Sequence, residues 1–162
     1  MKHEHLVRIL AIDLHPRSFG YAVIENPTKL RDWGVCSYRR KGTPKDVLIR
    51  RRLRPLLKFW KPTFLVLRDG RGMIPRQKLL RERFLEGVVA EAETYGVCVR
   101  SPKSAQDRAE KLTKHERARA VAKRFPVLVE KLTPKRRPWE SEHYSMSIFE
   151  ALAAAIAYSE MY

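Results

Sequence analysis

Acidic residues are scarce in this chain of 162 residues: Asp and Glu number 18 against 34 Lys and Arg, a formal net charge of +16. Such an excess costs self-repulsion unless a polyanion absorbs it. Nucleic acid is the usual polyanion, and an anionic membrane surface is the other. Cysteine is nearly absent. Cys36 and Cys98 stand far apart and form no CxxC pair, so no disulfide framework or zinc site is expected, and both thiols are expected to be buried in a reducing compartment. No run reaches the ~20 apolar residues of a membrane span; the longest near the end is Ala151 to Tyr158. The start leads straight into a short apolar run, without the long apolar stretch and small-residue cleavage site of a signal peptide. A soluble, cytoplasmic protein without membrane contact is therefore expected. GxSxG, P-loop and HExxH sequences are missing, which leaves no support for the chemistries they carry. Repeats, low-complexity segments and linkers are missing too, so residues 1–162 read as a single domain large enough to bury a core.

The hydrophobic pattern supplies the elements. Residues 6–13, 20–25 and 31–39 read as three strands joined by the polar loop His15-Pro16-Arg17-Ser18 and a turn at Asn26-Pro27, an antiparallel meander. Thr43-Pro44 looks like a helix start, with Thr as N-cap and Pro at the first position. Ile49, Leu53, Leu56, Leu57 and Trp60 follow at helical spacing, and Pro55 predicts a kink or break among them. Phe64 to Leu67 is continuously apolar, as a strand buried on both faces would be. Leu79, Leu80, Phe84, Val88, Ala92 and Tyr95 place one stripe on a helix over 76–95, which Gly96 stops. Val97-Cys98-Val99 reads as a short buried strand. Lys103 to Arg124 is helical and highly charged; Thr113 and Glu116 match a capping box, so two helices meeting there are an alternative. An Ala-rich helix over 144–159 closes the chain. The order β-β-β-α-β-α-β-α-α implies an α/β domain with a mixed sheet.

Asp13 stands at the carboxyl end of the first apolar strand, the edge at which open α/β sheets bind ligands. A carboxylate there suits a metal ion, and it equally suits a turn cap. The stretch Ile9 to Val23, ILAIDLHPRSFGYAV, resembles the first hairpin of the RuvC-type Holliday junction resolvases of the RNase H-like superfamily. Phe64 to Asp69 falls where that family has a buried strand ending in an acid. Val99 to Lys103 falls where it has the fifth strand and the start of a basic helix. Phe149-Glu-Ala-Leu-Ala-Ala-Ala-Ile156 resembles its last motif.

The resemblance implies an α/β, RNase H-like fold: a mixed five-stranded sheet, three strands antiparallel and then two parallel, flanked by helices. It also implies a structure-selective endonuclease for branched DNA, acting as a homodimer with two Mg2+ or Mn2+ ions per site. Two such ions ~4 Å apart would clamp the attacking water and the leaving oxygen. Carried over by position, Asp13 matches the bridging acid and Glu150 an acid of the last helix. Where the family has Glu after the fourth strand, this chain has Arg68 and then Asp69. Asp69 can take the role only if the strand ends one residue later or bulges, since a one-residue slip turns a side chain to the other face. Three residues before Glu150, Ser147 replaces another acid. His143 lies four residues before Ser147 and shares its face if the helix starts early enough.

Arg17, Arg71, Arg76 and Lys103 follow strand ends and would bind phosphates around Asp13. Lys114, Arg117, Arg136 and Arg137 extend that patch, and Trp139 is a candidate for base stacking. The alternative to an enzyme is a catalytically inactive RNase H-like protein that binds nucleic acid, with Arg68 and Ser147 marking a lost metal site.

Overall fold

The computed structural model describes residues 7–38, 41–68, 75–101, 112–133, 143 and 145–161. Each strand of its sheet is divided by the two-residue pleat between two apolar layers. The strands are β1 (Arg8–Leu14), β2 (Ser18–Glu25), β3 (Leu30–Ser37), β4 (Phe64–Leu67) and β5 (Cys98–Arg100). They lie in the order β3-β2-β1-β4-β5. β1 pairs antiparallel with β2 and parallel with β4, β2 pairs antiparallel with β3, and β4 pairs parallel with β5. This is the mixed sheet that the strand pattern predicts.

On one face, Leu10, Ile12, Leu14, Val23, Leu65 and Leu67 pack against α1 (Lys45–Trp60) and α2 (Pro75–Thr94). On the other, Ile9, Ala11, Ala22, Ile24, Phe64 and Val66 pack against α3 (Lys114–Arg124), a 3-10 segment (Pro126–Lys131) and α4 (Met146–Met161). β1 and β4 are buried on both faces, which is why their sequences run apolar without alternation. Full burial of one such Leu or Ile contributes about 1.5–3 kcal/mol, so these two central strands anchor both layers.

Several details differ from the sequence expectations. α1 is one uninterrupted helix through Pro55. Pro55 faces solvent, and buried Leu53 and Leu57 on either side hold the two halves to the same core. That packing overrides the missing backbone bond. Pro44, not Thr43, occupies the cap of this helix, with no side-chain bond. The apolar stripe of α2 is shorter than expected: Phe84, Val88 and Ala92 are buried, whereas Leu79 and Tyr95 are exposed. Gly96, at φ +68°, ends the turn that follows. β5 is an exposed edge strand, and it carries Cys98 into solvent against the expectation of a buried thiol. Thr113 accepts a hydrogen bond from the Glu116 amide at 3.2 Å and starts α3. The capping pair thus marks a true helix start. Among the described residues, no helix is long and apolar enough to cross a membrane.

Candidate functional site

Asp13 follows Ile9 and Ala11 in strand parity, so its side chain leaves β1 on the α4 face. In β4 the same face takes Phe64, Val66 and then Arg68. The parallel ladder runs in step to its end, with Ile12 beside Leu67 and the Arg68 amide donating to the Ile12 carbonyl at 3.2 Å. Arg68 is therefore the residue that pleating brings next to Asp13. Asp69, the acid that the sequence offered for this role, lies outside the described residues. Arg81 of α2 donates to the Arg68 carbonyl and fixes the backbone there.

On the other side of β1, Asp13 pairs with Gly20 of β2. A side chain at Gly20 has no room: a Cβ built there would stand 2.3 Å from Ser147 Oγ and 2.4 Å from its carbonyl carbon. Glycine at this position lets the first turn of α4 rest directly on the hairpin. One turn further, Glu150 enters the same space as Asp13. Both acids are buried, at 2% and 5% exposure.

Two charged carboxylates taken out of water need partners, and every one of their four oxygens has a cationic or ionisable one. Arg68 lies between them, with Nη1 3.4 Å from Asp13 Oδ1 and Nε 3.0 Å from Glu150 Oε2. Arg117 Nη2 of α3 is 3.1 Å from Glu150 Oε1. His15 Nε2 is 2.7 Å from Asp13 Oδ2. Burial pushes the Asp13 carboxyl upward, but the His15 hydrogen bond and the charges of His15, Arg68 and Lys114 outweigh it and hold the group below its ordinary 3.8. The loop that carries His15 is itself fixed: Tyr38 donates its hydroxyl hydrogen to the His15 and Ser18 carbonyls, and its amide to the Arg17 carbonyl.

The other expected site residues fall as follows. His143 precedes α4, which begins only at Met146, so it does not share the helical face of Ser147 and Glu150. Its Nδ1 lies 2.7 Å from Ser145 Oγ, and that hydroxyl donates to the Lys131 carbonyl. Arg17 is exposed in the loop beside His15, and Arg76 is exposed in the first turn of α2. Of Lys114 and Arg117, expected to extend the phosphate-binding patch, Arg117 pairs with Glu150 and the charge of Lys114 acts on Asp13. Arg71, Lys103, Arg136, Arg137 and Trp139 lie outside the described residues. One participant was missed, His15; Arg68 was weighed as the mark of a lost metal site, though not as a contact of both acids at once. Parity gives the face of each side chain: His15 is two residues beyond Asp13, and Arg68 two beyond Val66.

A two-metal centre needs three or more converging anionic ligands. Among the described residues, no group of three His, Cys, Asp and Glu side chains could hold a metal ion. The two acids that do converge have a guanidinium between them. The donor set that the described residues supply does not fit a pair of divalent cations.

No sequence-family profile and no curated protein matches the chain. Solved structures do. RuvC of Thermus thermophilus in complex with a Holliday junction substrate is 19% identical with a TM-score of 0.71, over 96% of each chain. RuvC of the same organism in a second structure gives 19% and 0.67, again over 96% of each chain. The fowlpox virus Holliday junction resolvase is 15% identical with a TM-score of 0.52, covering 96% of this chain and 100% of that one. The chain has the RuvC-like resolvase fold.

Proposed function

We propose that this chain is a branched-DNA-binding protein, held in the resolvase fold, whose site is assembled without divalent metal. The observation that carries this reading is the Arg68 guanidinium between Asp13 and Glu150. It stands on the sheet edge where a resolvase would coordinate metal, and it leaves the site rich in positive charge. Support comes from the fold, since a protein of the same architecture is described in complex with a Holliday junction, and from the net charge of +16. Arg17 and Arg76, both exposed, are the described residues proposed to meet phosphates. Arg71, Lys103, Arg136 and Arg137 complete the proposed contact set. Two-metal hydrolysis of junction strands by a homodimer with Mg2+ or Mn2+, using Asp13, Asp69, Glu150 and His143, is the competing reading that the resemblance implies.

One experiment separates them. Fluorescence anisotropy with a labelled four-way junction and a duplex of the same sequence, in EDTA, is expected to show the junction bound at least about ten-fold more tightly. The same junction incubated with Mg2+ or Mn2+ is expected to stay intact on a denaturing gel. Cleavage by the wild type that disappears in Asp13→Asn would establish the competing reading. Equal affinity for duplex would remove branched DNA as the preferred ligand.

A further inference from the structure

We infer that Arg68 is the resident cation of this site, a permanent side-chain substitute for a divalent metal ion, and that it positions Asp13 and Glu150 without taking part in chemistry. The charges decide this. A centre built for two divalent cations gathers acids in excess and repels itself until the ions arrive. Among the described residues, two carboxylates meet the guanidinium ions of Arg68 and Arg117, and the charge of Lys114 acts on Asp13 as well, before His15 is counted. A further divalent ion would find the two described carboxylates already matched by guanidinium ions and would have to displace Arg68. Arg68 is held at three points: its amide donates to the Ile12 carbonyl, its carbonyl accepts from Arg81, and its guanidinium lies against both carboxylates. Its side chain is only 16% exposed. Arginine suits the task because its planar fork can hold two separate carboxylates and stays charged at any working pH.

The inference is independent of what the protein binds, so its test uses no DNA. The probe is Mn2+, read by calorimetric titration and by thermal unfolding. Wild-type protein is expected to bind no stoichiometric Mn2+ and to keep the same Tm in EDTA and in excess Mn2+. Arg68→Met keeps an unbranched apolar stem and removes the charge, leaving two buried carboxylates without the cation between them. It is expected to lower the Tm in EDTA by on the order of 10 °C. Arg68→Glu reverses the charge and is expected to unfold at still lower temperature in EDTA, to bind Mn2+, and to regain stability in its presence. Stoichiometric Mn2+ binding by the wild type that is lost in Asp13→Asn would overturn the inference. So would an Arg68→Met protein with an unchanged Tm. Both overturning results are read on the wild type or on the mild variant, so they stand even if Arg68→Glu does not fold.

Discussion

Asp13 stays charged in a buried place because its two oxygens meet His15 and Arg68, with Lys114 beyond them. Glu25, with Arg8, Arg31 and Lys29, and Glu91, with Arg54 and Arg50, are likewise held below their ordinary 4.5 against the opposing pull of burial. All three shifts have one sign. A carboxyl lowered in the folded state binds its proton first in the unfolded chain. Its stabilisation is complete above the unfolded pKa and is lost as pH falls through the folded one. The Tm is therefore expected to hold steady, as far as these groups set it, from neutrality to about pH 5, and to fall steeply below about pH 4. Asp13→Asn is expected to be less stable at pH 7 and to lose less on acidification, measured by thermal scans from pH 7 to pH 3. A wild-type Tm that rises as the pH falls below 4 would contradict the pairing.

At the scale of elements, α1 and α2 are joined by more than apolar contact. Glu91 of α2 is buried and accepts from Arg50 Nε at 2.9 Å and Arg54 Nε at 2.8 Å, both on α1. The two arginines are partly in water, which discounts the pairs. Glu91→Gln is expected to cost about 1–2 kcal/mol, a Tm lower by about 2–8 °C at this chain length. A double-mutant cycle with Arg54 should return a coupling of the same sign. Elements were also the most legible layer of the sequence. Phe64 to Leu67 announced β4 because a strand covered on both faces has no polar alternation. Thr113 and Glu116 announced the start of α3. Pro55 misled, because a local rule about one backbone bond cannot register that Leu53 and Leu57 share a core. Cys98 misled because a three-residue apolar stretch does not reveal that its strand is the edge of the sheet.

The whole molecule is a sheet between two apolar layers with a large surplus of positive charge. That surplus bears on the proposed partner through salt. With as few as four phosphates neutralised, affinity for a four-way junction is expected to fall about 100-fold between 50 and 200 mM NaCl; a flat dependence would remove the electrostatic basis of the reading. The topology was legible in outline, since three strands and then alternating helices and strands permit few mixed sheets. The candidate site was legible only in part. Asp13 could be singled out because it stands at the end of an apolar strand, and Glu150 because it interrupts the apolar run from Ile148 to Ala157. Parity along β4 gives the face of Arg68, but its place between them depends on the register of β1 with β4, a pairing between residues more than fifty positions apart that no local pattern encodes.

The contact between Gly20 and Ser147 has a consequence for how this site can change. The separation of the β1–β2 hairpin from α4 is set by the Gly20 backbone of β2 resting on Ser147, not by the charged groups the gap encloses. Exchange of an acid for a base within the gap therefore alters the local field without re-spacing its walls. A scaffold of that kind can lose one chemistry and keep its shape, and a single codon at position 68 is enough to reverse the sign of what it attracts.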